Sequence, residues 1–494
     1  MYKEGFSSQL YNEIQAQNIR DRIKRFDGKL YLEFGGKLFD DYHASRVIPG
    51  FKPDSKVNML KEMRDDVEIV IAISADDIER SKRRGDLGIT YDEDTLRLFD
   101  AFRSEGFFVG SVVITHYRNQ KAADKFRSRL DALGIKSYIH YIIPDYPSNT
   151  ALIISDEGFG KNEYIETSRP LVVITAPGPG SGKMATCLSQ LYHEHKRGVN
   201  AGYAKFETFP VWNLPLKHPV NLAYEAATAD LDDVNMIDPY HLEAYGETSV
   251  NYNRDVEIFP VLEAMFKEIY GESPYKSPTD MGVNMIGYCI TDDEVCCEAA
   301  KQEIIRRYYS AACAHLQGLS DGHDLHKIEM IMNSMGITPE DRPVVGPALR
   351  RAEETDGPAV AIELPDGTII TGKTTSLLGA ASACLMNAIK ALAGIRKKTL
   401  LIPPSIIEPI QHLKLEHLGN RNPRLHTDEL LITLSACAVT NPLAAEAIDQ
   451  LDQLRGCEAH SSVILSHQDE ELFRKLGINV TFEPKYQSER LYHN

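Results

Sequence analysis

Three short apolar runs, at residues 67–73, 109–114 and 138–143, alternate with two stretches of helical periodicity, at 93–104 and 120–133. Strands that are apolar on both faces must be covered on both, and a helical crossover between successive strands makes them parallel. The rhythm predicts a doubly wound, Rossmann-like α/β sheet, whose ligand crevice lies at the carboxyl ends of the strands. Upstream, KLYLEFGGKLFDD at 29–41 reads as two strands joined by Gly35-Gly36, a β-hairpin. Downstream, 151–154 and 171–175 are further strand candidates, and the second runs directly into TAPGPGSGKMATC, followed by a helical pattern at 185–195.

That loop is close to a Walker A sequence, in which backbone amides cradle phosphates, a lysine neutralises them and a hydroxyl holds Mg²⁺. Two positions depart from it: Pro177 fills the first glycine slot and Met184 the hydroxyl slot. Thr186 is one residue too late, since each residue rotates a helix by about 100°. Strand, glycine turn and helix remain the right context for an anion at the positive end of a helix. Gly178, Gly180, Ser181, Gly182 and Lys183 are therefore expected to bind the phosphate of a nucleotide or small phosphorylated ligand, without a standard magnesium site. Lys161, in the GFGKN turn at 158–162, is a second lysine for the same ligand. ALIISDE at 151–157 imitates a Walker B strand, although an aspartate at a strand end is common without a metal.

Lys205 and Glu207, two apart in YAKFET, point to the same side of a short strand expected beside the loop strand. With Arg254 in NYNRDVE they are the candidate catalytic groups, able to position a phosphate or move a proton. Charged and amide residues crowd the neighbouring loops at 205–221, 251–257 and 277–285. The implied chemistry is phosphoryl transfer or hydrolysis; a non-catalytic metabolite-binding or assembly role for the same cradle is the alternative. The cofactor is left unknown.

No metal site is expected. The eight cysteines make no CxxC pair, His193-Glu194-His195-Lys196-Arg197 lacks the second histidine of HExxH, and His323, His326 and Glu329 drift around a helix. The 54 basic and 71 acidic residues give a net charge of −17, which disfavours nucleic acid and anionic membranes as partners. The N-terminus lacks a basic region followed by an apolar core, and no apolar run reaches membrane-spanning length. The expectation is a cytoplasmic protein, and its size suits a homo-oligomer.

From about 230 to 335 the strand signal fades and helical patterns dominate, at 261–270 and 294–315. Three domains are expected: 1–229 with the anion cradle, a helical subdomain at 230–340, and a C-terminal α/β domain at 341–494. The last begins with strand, Pro365-Asp366-Gly367, strand and a long apolar helix. Its GTIITGKT at 367–374 spells a Walker A but alternates as a hairpin strand, leaving no phosphate loop. This hairpin and helix resemble the core of cytidine deaminase-like domains, a three-layer α/β fold. The resemblance implies no deaminase chemistry, because GAASACLMNA lacks the His-x-Glu or Cys-x-Glu that such a helix carries.

Across nearly the whole chain, YHASRVIPGF, DEGFGKNEYIET, TAPGPGSGKMATCLSQLYHE, AGYAKFETFPVWNLPLKHPVNLAYEAATADL, VNYNRDVEIFP and SPTDMGVNM resemble a bacterial UPF-series family, domain-of-unknown-function family eighteen forty-six. What this resemblance implies is a multi-domain α/β protein.

Overall fold

The computed structural model describes residues 3–36, 38–39, 41–84, 87–231 and 233–487. It divides into two compact units, one of Glu4–Glu225 with Asp232–Ala300, the other of Lys301–Asn494 with Met1–Lys3 and Ala226–Leu231. The stretch 230–340, expected as one helical subdomain, is thus shared between the two units.

The first unit is built on six strands, β1 (Leu30–Phe34), β2 (Val67–Ser74), β3 (Phe108–Tyr117), β4 (Ser137–Tyr141), β5 (Leu171–Thr175) and β6 (Gly202–Phe206). They lie side by side in the order β4-β3-β2-β5-β1-β6, every pair parallel. All residues of β1, β2, β5 and β6 are buried, as a sheet covered on both faces requires. From β2 the chain steps outward to β3 and β4, then returns to the other side of β2 with β5. The reversal between β2 and β5 opens a crevice at their carboxyl ends, where the glycine loop begins. A two-stranded antiparallel ribbon, β7 (Asn235–Ile237) with β8 (Val250–Tyr252), belongs to the same unit.

Two sequence expectations are corrected. β1, expected as the first arm of a hairpin over 29–41, pairs on both edges, Leu30 with Leu171 of β5 and with Gly202 of β6, which leaves it no edge for a second arm; residues 37 and 40 of the expected hairpin lie outside the described residues. Residues 151–154 form no strand either: Thr150–Ile153 is a helical turn capped by the Asn149 side chain on Leu152 N–H, at 3.2 Å. Four apolar residues fit either state.

In the second unit, β9 (Ala359–Glu363), β10 (Ile369–Lys373), β11 (Glu458–Ser461) and β12 (Asn479–Phe482) run in the order β10-β9-β11-β12. The β9–β10 and β9–β11 pairs are antiparallel and β11–β12 is parallel. Helix Ala380–Leu392 follows the hairpin and buries Cys384, Leu385, Ala388 and Ile389 in a core with Val360, Ile362, Leu430 and Phe473. IITGK, the central part of GTIITGKT, is β10. Arg342, fully buried, donates to Glu458, Thr481 Oγ1 and the carbonyls of Ala459 and Asn479. No helix among the described residues is long and apolar enough to cross a membrane.

Candidate functional site

The loop between β5 and helix Lys183–Lys196 is held from three sides. Gly180 and Gly182 take φ of +72° and +78°, a conformation that any other residue adopts only with strain. Gly178 abuts Tyr91, leaving no room for a Cβ beside the phenol. Ser181, buried, donates its hydroxyl to Gly178 O at 2.9 Å, and its carbonyl accepts from Thr115 Oγ1 of β3 at 2.7 Å. Gly182 is the N-cap and offers no side chain, so the first-turn amides keep their outward-facing donors. The Thr186 hydroxyl donates back to Gly182 O at 2.9 Å and is committed to the helix. Lys183, half-buried in the first turn, has no ion-pair partner among the described residues.

Lys205 is the penultimate residue of β6 and stands in register with Glu33 of β1. Its ammonium is 2.6 Å from both carboxylate oxygens of Asp255, 3.1 Å from Glu207 Oε1 and 2.9 Å from the Tyr252 hydroxyl. Tyr252 in turn donates its hydroxyl to Glu207 Oε2. Burial lowers the Lys205 pKa, but Asp255 and Glu207 more than offset it and the ammonium is held above its ordinary range. Glu207 is pushed up to about 7, by burial first and then by Asp255, with Lys205 opposing. A carboxyl with that pKa exchanges a proton at neutral pH, and 27% of its side chain stays open to solvent. Lys205 is buried and Glu207 half-buried. Glu207 lies one residue beyond β6, and β6 is separated from β5 by β1, not adjacent to it.

Arg254 and Asp255 open helix Asn253–Tyr270, where adjacent side chains diverge by about 100°. Asp255 turns in to Lys205; Arg254 turns out, pairing with Asp233 at 2.6 Å, its guanidinium 5.9 Å from the Tyr252 ring centre. Arg254 therefore sits at the rim. Lys161 packs 4.9 Å from the Tyr141 ring centre, at the end of edge strand β4, with β3 and β2 between that strand and β5. Asp156, the Walker B candidate, is an exposed turn residue bonded to the Tyr192 hydroxyl at 2.6 Å and Lys196 at 3.3 Å.

The strand order brings the glycine loop and the acid–base cluster to one edge of the sheet. β5, β1 and β6 are neighbours, so their carboxyl ends present the loop, Gly35-Gly36 and Glu207 in a row. At roughly 4.8 Å per strand the carboxyl ends of β5 and β6 are about 10 Å apart. Gly35 is needed between them, since a Cβ there would lie 2.7 Å from Glu207 Cγ and 3.0 Å from Phe206 O. Glu33, accepting from the Tyr203 hydroxyl at 2.6 Å, links the two halves. Burial raises the Cys187 thiol pKa, Glu33 adds to the rise and Lys183 opposes it; Glu33 also acts on Lys205. Beneath the row, Lys56 pairs with Asp41 at 2.6 Å, beside the rings of Phe34 and Phe206. Glu33, Asp41, Lys56 and Tyr252 were not singled out as site residues by sequence; Asp255 was weighed beside Arg254, and Arg254 was taken as the candidate. A charged residue inside the apolar strand LYLEF was the available signal for Glu33.

A surface cavity of about 680 Å³ lies at the opposite end of the strands, lined by Glu68, Phe99, Arg103, Phe108 and Lys136 among others. It includes no residue of the loop or of the Lys205 cluster. In sheets of this topology ligands bind at the carboxyl ends, which favours the edge described above.

Two family models cover the chain, described as domain of unknown function DUF1846, N-terminal, over residues 4–336, and domain of unknown function DUF1846, C-terminal, over residues 340–492. The chain is similar to the UPF0371 protein of Streptococcus thermophilus (strain ATCC BAA-491 / LMD-9), 61% identical over 492 residues, and to the UPF0371 protein of Streptococcus pneumoniae (strain JJA), 60% identical over 492 residues. In both cases the match spans 100% of each chain. With both halves of the family pattern present in order, and relatives matching from end to end, the chain belongs to the DUF1846 family, whose members here carry the name UPF0371 protein.

Proposed function

We propose that the protein binds a nucleotide or small phosphorylated metabolite, with the phosphate on the amides of Gly180–Lys183 and the Lys183 ammonium, and the rest of the ligand over Gly35-Gly36 toward Glu207. The observation that supports this reading is the β5-β1-β6 adjacency, which puts the glycine loop and the Glu207 carboxyl, its pKa pushed up to about 7, at the carboxyl edge of one parallel sheet. The carboxyl ends of β5 and β6, about 10 Å apart, leave room between them for a sugar phosphate or a short polyphosphate. In the phosphotransferase or phosphohydrolase form of the proposal, the ligand carries more than one phosphate: one rests on the cradle, and the phosphoryl group at the Glu207 end is the one transferred. Glu207 takes the proton of the attacking hydroxyl as its oxygen bonds to phosphorus, and the leaving oxygen departs with the electron pair. Lys205 and Tyr252 hold the carboxylate in place. Binding without catalysis is the second reading, favoured by Met184 in the hydroxyl slot.

Isothermal titration with inorganic phosphate, nucleotides and sugar phosphates tests the cradle. Lys183→Ala removes a charge-assisted contact worth about 1.5–3 kcal/mol and is expected to lower affinity roughly ten- to a hundredfold. Mg²⁺ is expected to change that affinity little. Equal affinity in wild type and variant would reduce the glycines to a turn.

The same reading places the protein in the cytoplasm, supported by eight cysteines with no CxxC pair among them and seven of them buried. It also takes the second unit as a zinc-less deaminase-like fold, supported by the β10-β9-β11-β12 order and the helix that follows the hairpin.

A further inference from the structure

We propose that His218, Asp293 and Cys297 form a binding site for a divalent metal of the zinc class, separate from the anion cradle. The three residues offer one imidazole nitrogen, one carboxylate oxygen and one sulfur, all within 4.8 Å of one another. His218 Nε2 is 3.0 Å from Asp293 Oδ1, Cys297 Sγ is 3.5 Å from His218 Nε2, and Cys297 Sγ is 3.7 Å from Asp293 Oδ2. A tetrahedral zinc with its ordinary bonds to sulfur, nitrogen and oxygen sets its ligands roughly 3.3–3.6 Å apart. The three separations lie within about 0.3 Å of that range, the two to Asp293 being made by different oxygens of its carboxylate, so small side-chain adjustments would bring one oxygen, the nitrogen and the sulfur onto one face of that tetrahedron.

Its construction is specific. Asp293 and Cys297 stand four residues apart in the first turns of helix Asp293–Leu316, on one side of it. His218 comes from the loop that follows Glu207 and is nearly buried. The neighbouring Cys296 is buried on the other side, its thiol donating to Gly5 O at 3.5 Å, so only one of the adjacent cysteines faces the histidine.

The ligand chemistry selects the ion. A thiolate and an imidazole favour zinc over magnesium or calcium, which take oxygen. Thiolate, carboxylate and neutral imidazole leave a Zn²⁺ complex without net charge. Three protein ligands leave the fourth position open, and Asp293, 60% exposed, lies on the solvent side. In the metal-free protein Val220 N–H donates to His218 Nδ1 at 3.3 Å, which puts the ring proton on Nε2. Loading moves that proton to Nδ1, breaks this one long contact and releases the Cys297 thiol proton to water.

The full-length protein, stripped by a chelator, is titrated with Co²⁺ and then Zn²⁺. About one Co²⁺ per chain is expected, with a thiolate-to-cobalt charge-transfer absorption that Zn²⁺ abolishes by displacement. Cys297→Ser is expected to remove the band, and His218→Gln and Asp293→Asn each to weaken binding by at least about tenfold. Asp293→Asn alters an exposed side chain and remains informative should either other variant fail to fold. Wild type that takes up no stoichiometric metal, a band that survives Cys297→Ser, or equal affinity in folded Asp293→Asn would each overturn the site. None of these outcomes depends on whether Lys183 binds phosphate.

Discussion

Glu207 is where burial and charge oppose each other most directly. Its folded pKa of about 7 stands above the ordinary 4.5, so between those values the native state holds a proton that the unfolded chain has lost. Stability from this group is complete below about pH 4.5 and is lost as pH rises through 7. Other groups titrate in the same window, so the expected signature is a difference: the melting temperature of wild type falls relative to that of Glu207→Gln as pH rises from about 4.5 to 7. Parallel curves would mean that Glu207 titrates as an ordinary surface acid. Lys205 and Glu207 were legible as a pair because residues two apart share a side of a strand. That Asp255 rather than Arg254 completes the cluster was not, since which of two adjacent helical residues faces inward depends on what the helix packs against.

At the scale of the element, the β5-loop-helix unit was readable because four apolar residues, two free-turning glycines and a helical pattern follow one another without ambiguity. LYLEFGG was misread for a physical reason: a glycine pair after an apolar run serves equally to reverse the chain into a hairpin or to let a central strand end against Glu207. Glycine as a packing device is testable in the second unit. A Cβ at Gly372 of β10 would meet the backbone nitrogen and Cα of Cys384 in helix Ala380–Leu392, and neither can swing aside as a side chain does. Gly372→Ala is expected to destabilise this unit by about 1–3 kcal/mol, read as a lower urea midpoint at unchanged slope. An unaltered midpoint would show that hairpin and helix separate at little cost.

For the whole molecule, the net charge of −17 predicts no affinity for phosphate polymers even though the proposed cradle accepts a single phosphate. Anisotropy of labelled duplex DNA at low salt should show no binding at micromolar protein; saturable binding there would contradict the assignment. The sequence by itself determined the α/β class, the position of the glycine loop and its lysine, the hairpin and helix of the second unit and the family, because each rests on neighbours in the chain: periodicity, turn chemistry and contiguous motifs. Only the tertiary structure decided that β1 lies between β5 and β6, that Gly35 therefore makes room for Glu207, that Asp255 meets Lys205, and that His218 meets Cys297. The physical reason is common to all four. Each pairing joins residues far apart in sequence, and it is fixed by which buried strand edges and helix sides cover one another, a property no local window of residues contains.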